Sequence, residues 1–157
     1  MIDQIFKNSF INSLINNFPR STLQINKVHE SDAEIIMTGE DSKDFLAITT
    51  DSIAEEIKSK LYDDPYLIGW MSAMVNFSDL AAVGARPLGI LLSEILPSKY
   101  SANDRERLQA GINDASKKCG AFVLGGDTNT GDELIITGTA IGILENKKFV
   151  SRGRLPE

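Results

Sequence analysis

One cysteine, one histidine and one tryptophan occur among 157 residues. A lone Cys119 excludes an internal disulfide and any multi-cysteine zinc site, and fits a reducing compartment. From the single His29 no Ser-His-Asp or Cys-His arrangement can be assembled. No Gly-rich loop ending in Gly-Lys-Ser/Thr occurs, and no Gly-x-Gly-x-x-Gly fingerprint, so the common nucleotide-binding folds lose support. No stretch approaches the ~20 apolar residues of a membrane span, and Met1 to Phe10 lacks the apolar centre of a signal peptide. Basic charge is in the minority, 16 Lys and Arg against 22 Asp and Glu, for a net charge of -6. Such a surface repels nucleic acid and anionic membrane. These absences point to a soluble, acidic, cytoplasmic protein.

What is present fits one globular domain over 1–157, with 42% apolar and 24% charged residues. Ile2, Ile5, Phe6, Phe10, Leu14, Ile15 and Phe18 share a helical face that Pro19 ends. Ala33 to Met37 and Phe45 to Asp51 read as strands. A long helix begins with Asp64 as cap and Pro65 at its first position, and stops at Gly84. Pro87 to Pro97 reads as a buried strand. Ser101 or Asn103 caps a helix with Leu108, Ile112, Ala115 and Cys119 inward. Ala121 to Leu124 is a short strand running into a turn at Gly125-Gly126-Asp127. Leu134 to Leu144 is a final strand, where Gly138 and Gly142 permit a bulge or a close backbone approach; as a long apolar edge it is expected to need covering or pairing, through a homodimer. The order αββαβαββ predicts an α+β fold, a mixed or antiparallel sheet with helices on one face. Ser151 to Glu157 reads as the start of a connection rather than a domain terminus.

The chemical signal lies in the aspartates. Asp51 closes a strand as Thr49-Thr50-Asp51, Asp127 follows two glycines, and Asp32 directly precedes a strand. Asp79 sits inside an otherwise apolar helix and lines up with Ser72 and Asn76 on one face. A buried carboxylate must be paired, hydrogen-bonded or metal-bound. Lys and Arg are scarce nearby in sequence, and carboxylates with Thr hydroxyls are hard oxygen ligands suited to Mg²⁺ bridging to phosphates. Plainer roles exist for each: turn or cap residues for Asp51 and Asp127, a tight turn for the glycines, a satisfied structural network for Asp79 with Asn76. His29 reads as a loop residue, Trp70, Met71 and Met74 as core or interface, and Glu55, Glu56, Lys58 and Lys60 as a solvated face.

Asp64-Pro-Tyr-Leu-Ile-Gly-Trp70, Val75-Asn-Phe-Ser-Asp-Leu-Ala-Ala-Val-Gly-Ala-Arg-Pro87 and Gly125-Gly-Asp-Thr128 together resemble the amino-terminal domain of the aminoimidazole-ribonucleotide synthetase superfamily, and within it the thiamine-monophosphate kinases. The resemblance spans roughly Asp32 to Arg152. It implies ATP-dependent chemistry assisted by several Mg²⁺ ions, a homodimer whose sheets close into a barrel, and a second, carboxy-terminal domain completing the site. It further implies that Asp32, Thr49, Thr50, Asp51, Asp79 and Asp127 are metal ligands, and that Gly125, Gly126, Asp127 and Arg152 meet the nucleotide. Where the family has Gly-Asp-Asp, this chain has Glu30-Ser31-Asp32. Lys58 stands where the kinases carry a histidine that meets thiamine phosphate, which makes it the acceptor-binding candidate and leaves the acceptor open.

Two function classes follow. One is an ATP- and Mg²⁺-dependent phosphotransferase domain acting on a small phosphorylated acceptor, or another ATP-dependent ligase of the same superfamily. In that class no side chain is an obvious catalytic group, and positioning with electrostatics supplies the rate. The other is a non-catalytic dimerisation or nucleotide-sensing module that has kept the fold. The segment on its own is expected to be inactive without a second domain.

Overall fold

The computed structural model describes residues 17–39, 43–145 and 148–152, so the expected helix over Ile2 to Phe18 lies almost wholly outside the described residues. Five strands form one sheet: β1 (Glu34–Met37), β2 (Phe45–Ser52), β3 (Arg86–Pro97), β4 (Phe122–Gly131) and β5 (Ile135–Leu144). Their spatial order is β1-β2-β5-β3-β4. Every pairing is antiparallel except β3 with β4, which is parallel. Three helices complete the described chain: α1 (Ala54–Lys58), α2 (Pro65–Ala82) and α3 (Ala102–Lys118). The expected α+β class, a mixed sheet with helices packed against it, is what the structure has; α1 went unread because its five residues are too few for a helical period.

Both long helices start as their sequences dictate. The Asp64 carboxylate accepts the Leu67 N–H at 2.9 Å with Pro65 at the first helical position, and Ser101, rather than Asn103, caps α3 by accepting from the Asp104 N–H. Gly84 ends α2 at φ +78, a conformation that costs other residues a steric penalty. The helices cross in backbone contact. A Cβ at Gly69 would strike the Leu108 carbonyl, and one at Gly111 would strike that of Tyr66. Ile35, Phe45, Leu80, Ile90, Leu108 and Ile136 are fully buried in the layer between helices and sheet. Burial of each such side chain is worth about 1.5–3 kcal/mol. Trp70, Met71 and Met74 pack against that layer from its margin, as expected.

Two expectations about the strands need correction. Leu134 to Leu144 was expected to be a sheet edge available for pairing, yet β5 is central, bonded to β2 on one side and β3 on the other. The open edge is β4, where Phe122 is 73% exposed and Leu124 52%. In addition, Gly125-Gly126-Asp127 is no turn: β4 runs straight through it. The glycines serve the strand instead. Partner register shifts after Ile90↔Val123, where Gly125 adopts φ +147, and a Cβ at Gly126 would collide with the Leu92 carbonyl. Among the described residues no helix is long and apolar enough to cross a membrane.

Candidate functional site

The polar stripe of α2 lands on the end of β2. Asn76 is fully buried; its Oδ1 accepts the Asp51 N–H at 3.0 Å, while Nδ2 donates to the Ser72 carbonyl at 3.0 Å and to the Asp51 carbonyl at 3.4 Å. Space for that carboxamide exists because Gly138, opposite Asp51 on β5, has no side chain. One turn further along α2, Asp79 Oδ2 accepts the Thr49 hydroxyl at 2.8 Å. Thr49 is buried and Asp79 half-buried. The two threonines point to opposite faces of β2. Thr50 donates to the Gly138 carbonyl at 2.8 Å and accepts from Thr139 at 3.1 Å, so its hydroxyl is engaged away from Asp79.

Asp32 reaches the same neighbourhood from a loop pinned by Asn26. The Asn26 carboxamide, 3% exposed, donates to the Ala33 carbonyl and the Ser31 hydroxyl and accepts the Ile35 N–H. Arg152 comes from the opposite end of the chain: Val150 N–H bonds the Val83 carbonyl, and Arg152 N–H bonds the Glu30 carbonyl at 2.6 Å. The Arg152 guanidinium grips Asp32 Oδ1 through Nη2 and, at 2.9 Å, through Nε. A cavity of about 450 Å³ opens beside Asp32, Thr49 and Thr50.

The electrostatics favour a cation. Burial pushes the Asp79 carboxyl up, against the stabilising Thr49 hydrogen bond, and the neighbouring Asp51 and Asp32 charges push it further; Arg152 pulls the other way. Every donor in this group is a carboxylate or hydroxyl oxygen, a set that fits Mg²⁺ and suits neither zinc nor iron. A guanidinium already stands against one of these carboxylates as a cationic stand-in. Still, among the described residues no three His, Cys, Asp or Glu side chains converge closely enough to hold a metal ion.

The rest of the expected set lies elsewhere. Asp127 is on β4, three strands from Asp51 and so ~14 Å away across the sheet, where it accepts from Asn129 at 2.6 Å. Gly125 and Gly126 lie beside it, lining a cavity of about 360 Å³ between α3 and β4. Lys58 is exposed on α1 and borders a third cavity of about 580 Å³ with Lys60, Lys99, Glu55, Asp132 and Glu133. Glu94 was missed by sequence reasoning. It is 6% exposed, faces the cavity between α3 and β4, and accepts from the Thr128 hydroxyl at 3.3 Å. Its signal was an acidic residue inside the apolar run Leu88 to Leu96.

Residues 30–144 match the family described as AIR synthase related protein, N-terminal domain. Thiamine-monophosphate kinase of Methanocaldococcus jannaschii is 41% identical over 117 residues, covering 73% of this chain and 36% of that protein. The Bacillus subtilis thiamine-monophosphate kinase is 36% identical over 100 residues, 62% of this chain and 31% of its own. The solved structure of AaThiL complexed with AMPPCP and TMP superposes with a TM-score of 0.77 at 26% identity, over 94% of this chain and 45% of that one. The matched segments therefore span about a third of the length of these curated relatives. With the family motifs carried on the family's sheet and helices, and the match extending over most of its residues, the chain belongs to the AIR-synthase-related proteins, as their N-terminal domain.

Proposed function

We propose that this domain binds ATP with Mg²⁺ and contributes to phosphoryl transfer from ATP to a small phosphorylated acceptor. The observation that carries the reading is the gathering of Asp32, Asp51 and Asp79 at one end of the sheet, oriented by Arg152, Asn76 and Thr49 respectively. The relatives named thiamine-monophosphate kinase, and the neighbour complexed with AMPPCP and TMP, support ATP and a phosphorylated acceptor as ligands. Bound Mg²⁺ would neutralise the polyphosphate charge. In this reading Asp32, Asp51, Asp79 and the Thr49 hydroxyl hold the metal, Arg152 meets the nucleotide, and the backbone of Gly125, Gly126 and Asp127 lies against it from β4. Thr50, engaged within the sheet, is the weakest of the expected ligands. The lysine-bordered cavity next to α1 is the place for the acceptor, with Lys58 facing its anionic group. Because the relatives are about twice as long, turnover is assigned to this domain acting with a second one.

A homodimer belongs to the same proposal. It forms through β4, whose edge exposes Phe122, Val123 and Leu124 together with Leu91 on β3. A free edge carrying large apolar side chains is a liability unless it is paired or covered.

Thermal melts test the nucleotide reading. The chain should gain stability with rising Mg²⁺-ATP, and neither ATP with a chelator nor Mg²⁺ alone should match that gain. A melt indifferent to Mg²⁺-ATP at millimolar concentration would falsify the reading. The alternative of a non-catalytic nucleotide-sensing module draws on Lys58 and on Glu30-Ser31 in place of the family residues. It predicts the same melts with no phosphoryl transfer to any phosphorylated acceptor.

A further inference from the structure

We infer that Arg152 is a built-in counter-ion that occupies the Asp32 carboxylate in the metal-free protein and must leave for a divalent metal to bind; the inference rests on the metal reading above. Two observations carry it: the paired hydrogen bonds of the guanidinium to Asp32 and the main-chain anchoring that delivers it. The guanidinium bonds Asp32 Oδ1 through two nitrogens, so the carboxylate that would turn toward a metal is already satisfied by a cation.

The arginine is delivered by main-chain bonds that do not involve its side chain. Val150 N–H to Val83 and Arg152 N–H to Glu30 anchor the strip 148–152 across the end of α2. The guanidinium can therefore swing off Asp32 while its backbone stays in place. A metal arriving alone displaces it at a cost. A metal arriving with a polyphosphate offers the guanidinium a new anionic partner, so metal and nucleotide enter as a coupled pair and neither is held firmly without the other. The ion pair is partly solvent-exposed, 45% for Arg152 and 34% for Asp32, which limits the size of the effect. Exposed pairs of this kind are worth up to about five-fold in an equilibrium constant.

The test follows the arginine itself. In the full chain with ¹⁵N-labelled arginine, the Arg152 Nε–H resonance should move toward the position of a free arginine as Mg²⁺ is added, with a midpoint equal to the metal dissociation constant from calorimetry. Arg152→Gln should bind Mg²⁺ alone about two- to five-fold more tightly than the parent; Arg152→Lys, which keeps the charge and loses the fork, should fall between them. A resonance that stays put at saturating Mg²⁺, or an Arg152→Gln chain that binds Mg²⁺ no better than the parent, overturns the inference and leaves the metal reading standing. Absence of any Mg²⁺ binding by parent and variants, with or without ATP, overturns both.

Discussion

Asn76 holds the main chain of Asp51 on both sides, accepting its N–H at 3.0 Å and donating to its carbonyl at 3.4 Å. One helical side chain thus fixes where the last turn of strand β2 presents its carboxylate. Loss of the carboxamide in Asn76→Ala leaves the half-buried Asp51 N–H and the Ser72 carbonyl without this partner. A destabilisation of about 1–3 kcal/mol is expected from the unsatisfied groups. Urea unfolding with an unchanged m value checks it.

Asp79 gives an opposite expectation. An amide in Asp79→Asn can still accept the Thr49 hydroxyl, while the repulsion from Asp51 and Asp32 disappears. The variant should melt at or above the parent temperature without metal and should lose the extra stability that Mg²⁺-ATP confers. A variant that melts far lower, yet gains from Mg²⁺-ATP as the parent does, means Asp79 is a structural anchor.

Glu94 gives a pH signature. Burial raises its carboxyl above the usual range, with the Thr128 hydrogen bond opposing in part. The folded state therefore holds this proton more tightly than the unfolded chain does. That contribution to stability is complete below the ordinary glutamate range and is lost as pH rises through the raised value. Glu94→Gln should flatten that decline and melt higher than the parent at neutral pH. Parallel melting curves for the two proteins from pH 4 to 8 would contradict the assignment.

The helix crossing makes a stability prediction independent of function. At Gly111 a methyl group meets the Tyr66 carbonyl and at Gly69 the Leu108 carbonyl, both main-chain atoms that cannot rotate away. Gly111→Ala should cost at least about 1–3 kcal/mol through forced separation of α2 from α3. Gly84→Ala, at the far end of α2, by contrast finds open space and pays only for its positive φ. Chemical denaturation of the two variants side by side ranks them.

For the proposed dimer, Phe122→Asp with Leu124→Lys places charges on the exposed edge without touching the core. Light scattering should report a dimer for the parent and a monomer for the double variant at tens of micromolar. A specific dimer of this kind buries more than ~1,000 Å² in total. A parent that is monomeric at that concentration removes the edge from consideration as an interface.

Much of this was legible because local chemistry and tertiary context agree. Asp64 followed by Pro65 announces the start of α2, and Gly84 its end, through geometry confined to a few residues. The polar line Ser72, Asn76, Asp79 announced a special face for the same reason: helical spacing is local. Strand neighbours are set by pairing partners far away in sequence. Nothing within Leu134 to Leu144 tells whether its two hydrogen-bonding edges are both taken, and its apolar alternation fits a central strand as well as an edge. The glycines at 125 and 126 misled in a similar way, since close approach to Leu92 and a tight turn ask for the same residue. Arg152 was placed by resemblance to the family; its grip on Asp32, 120 residues earlier, depends on the path of the chain and not on any local pattern.

Because the last strand among the described residues is the one at the centre of the sheet, the order of synthesis matters to this domain. β1 and β2 emerge first as a hairpin, then β3, α3 and β4 as a parallel unit, and no sheet hydrogen bond joins the two groups until β5 arrives between them. A nascent chain halted before residue 135 holds two half-sheets with unbonded strand edges facing each other. The Asp51 end of β2 and the Leu92 segment of β3 acquire a common frame only when Gly138 slots between them. The site is therefore among the last features of the fold to be completed, and mutations in β5 should impair ligand binding even where no β5 side chain touches a ligand.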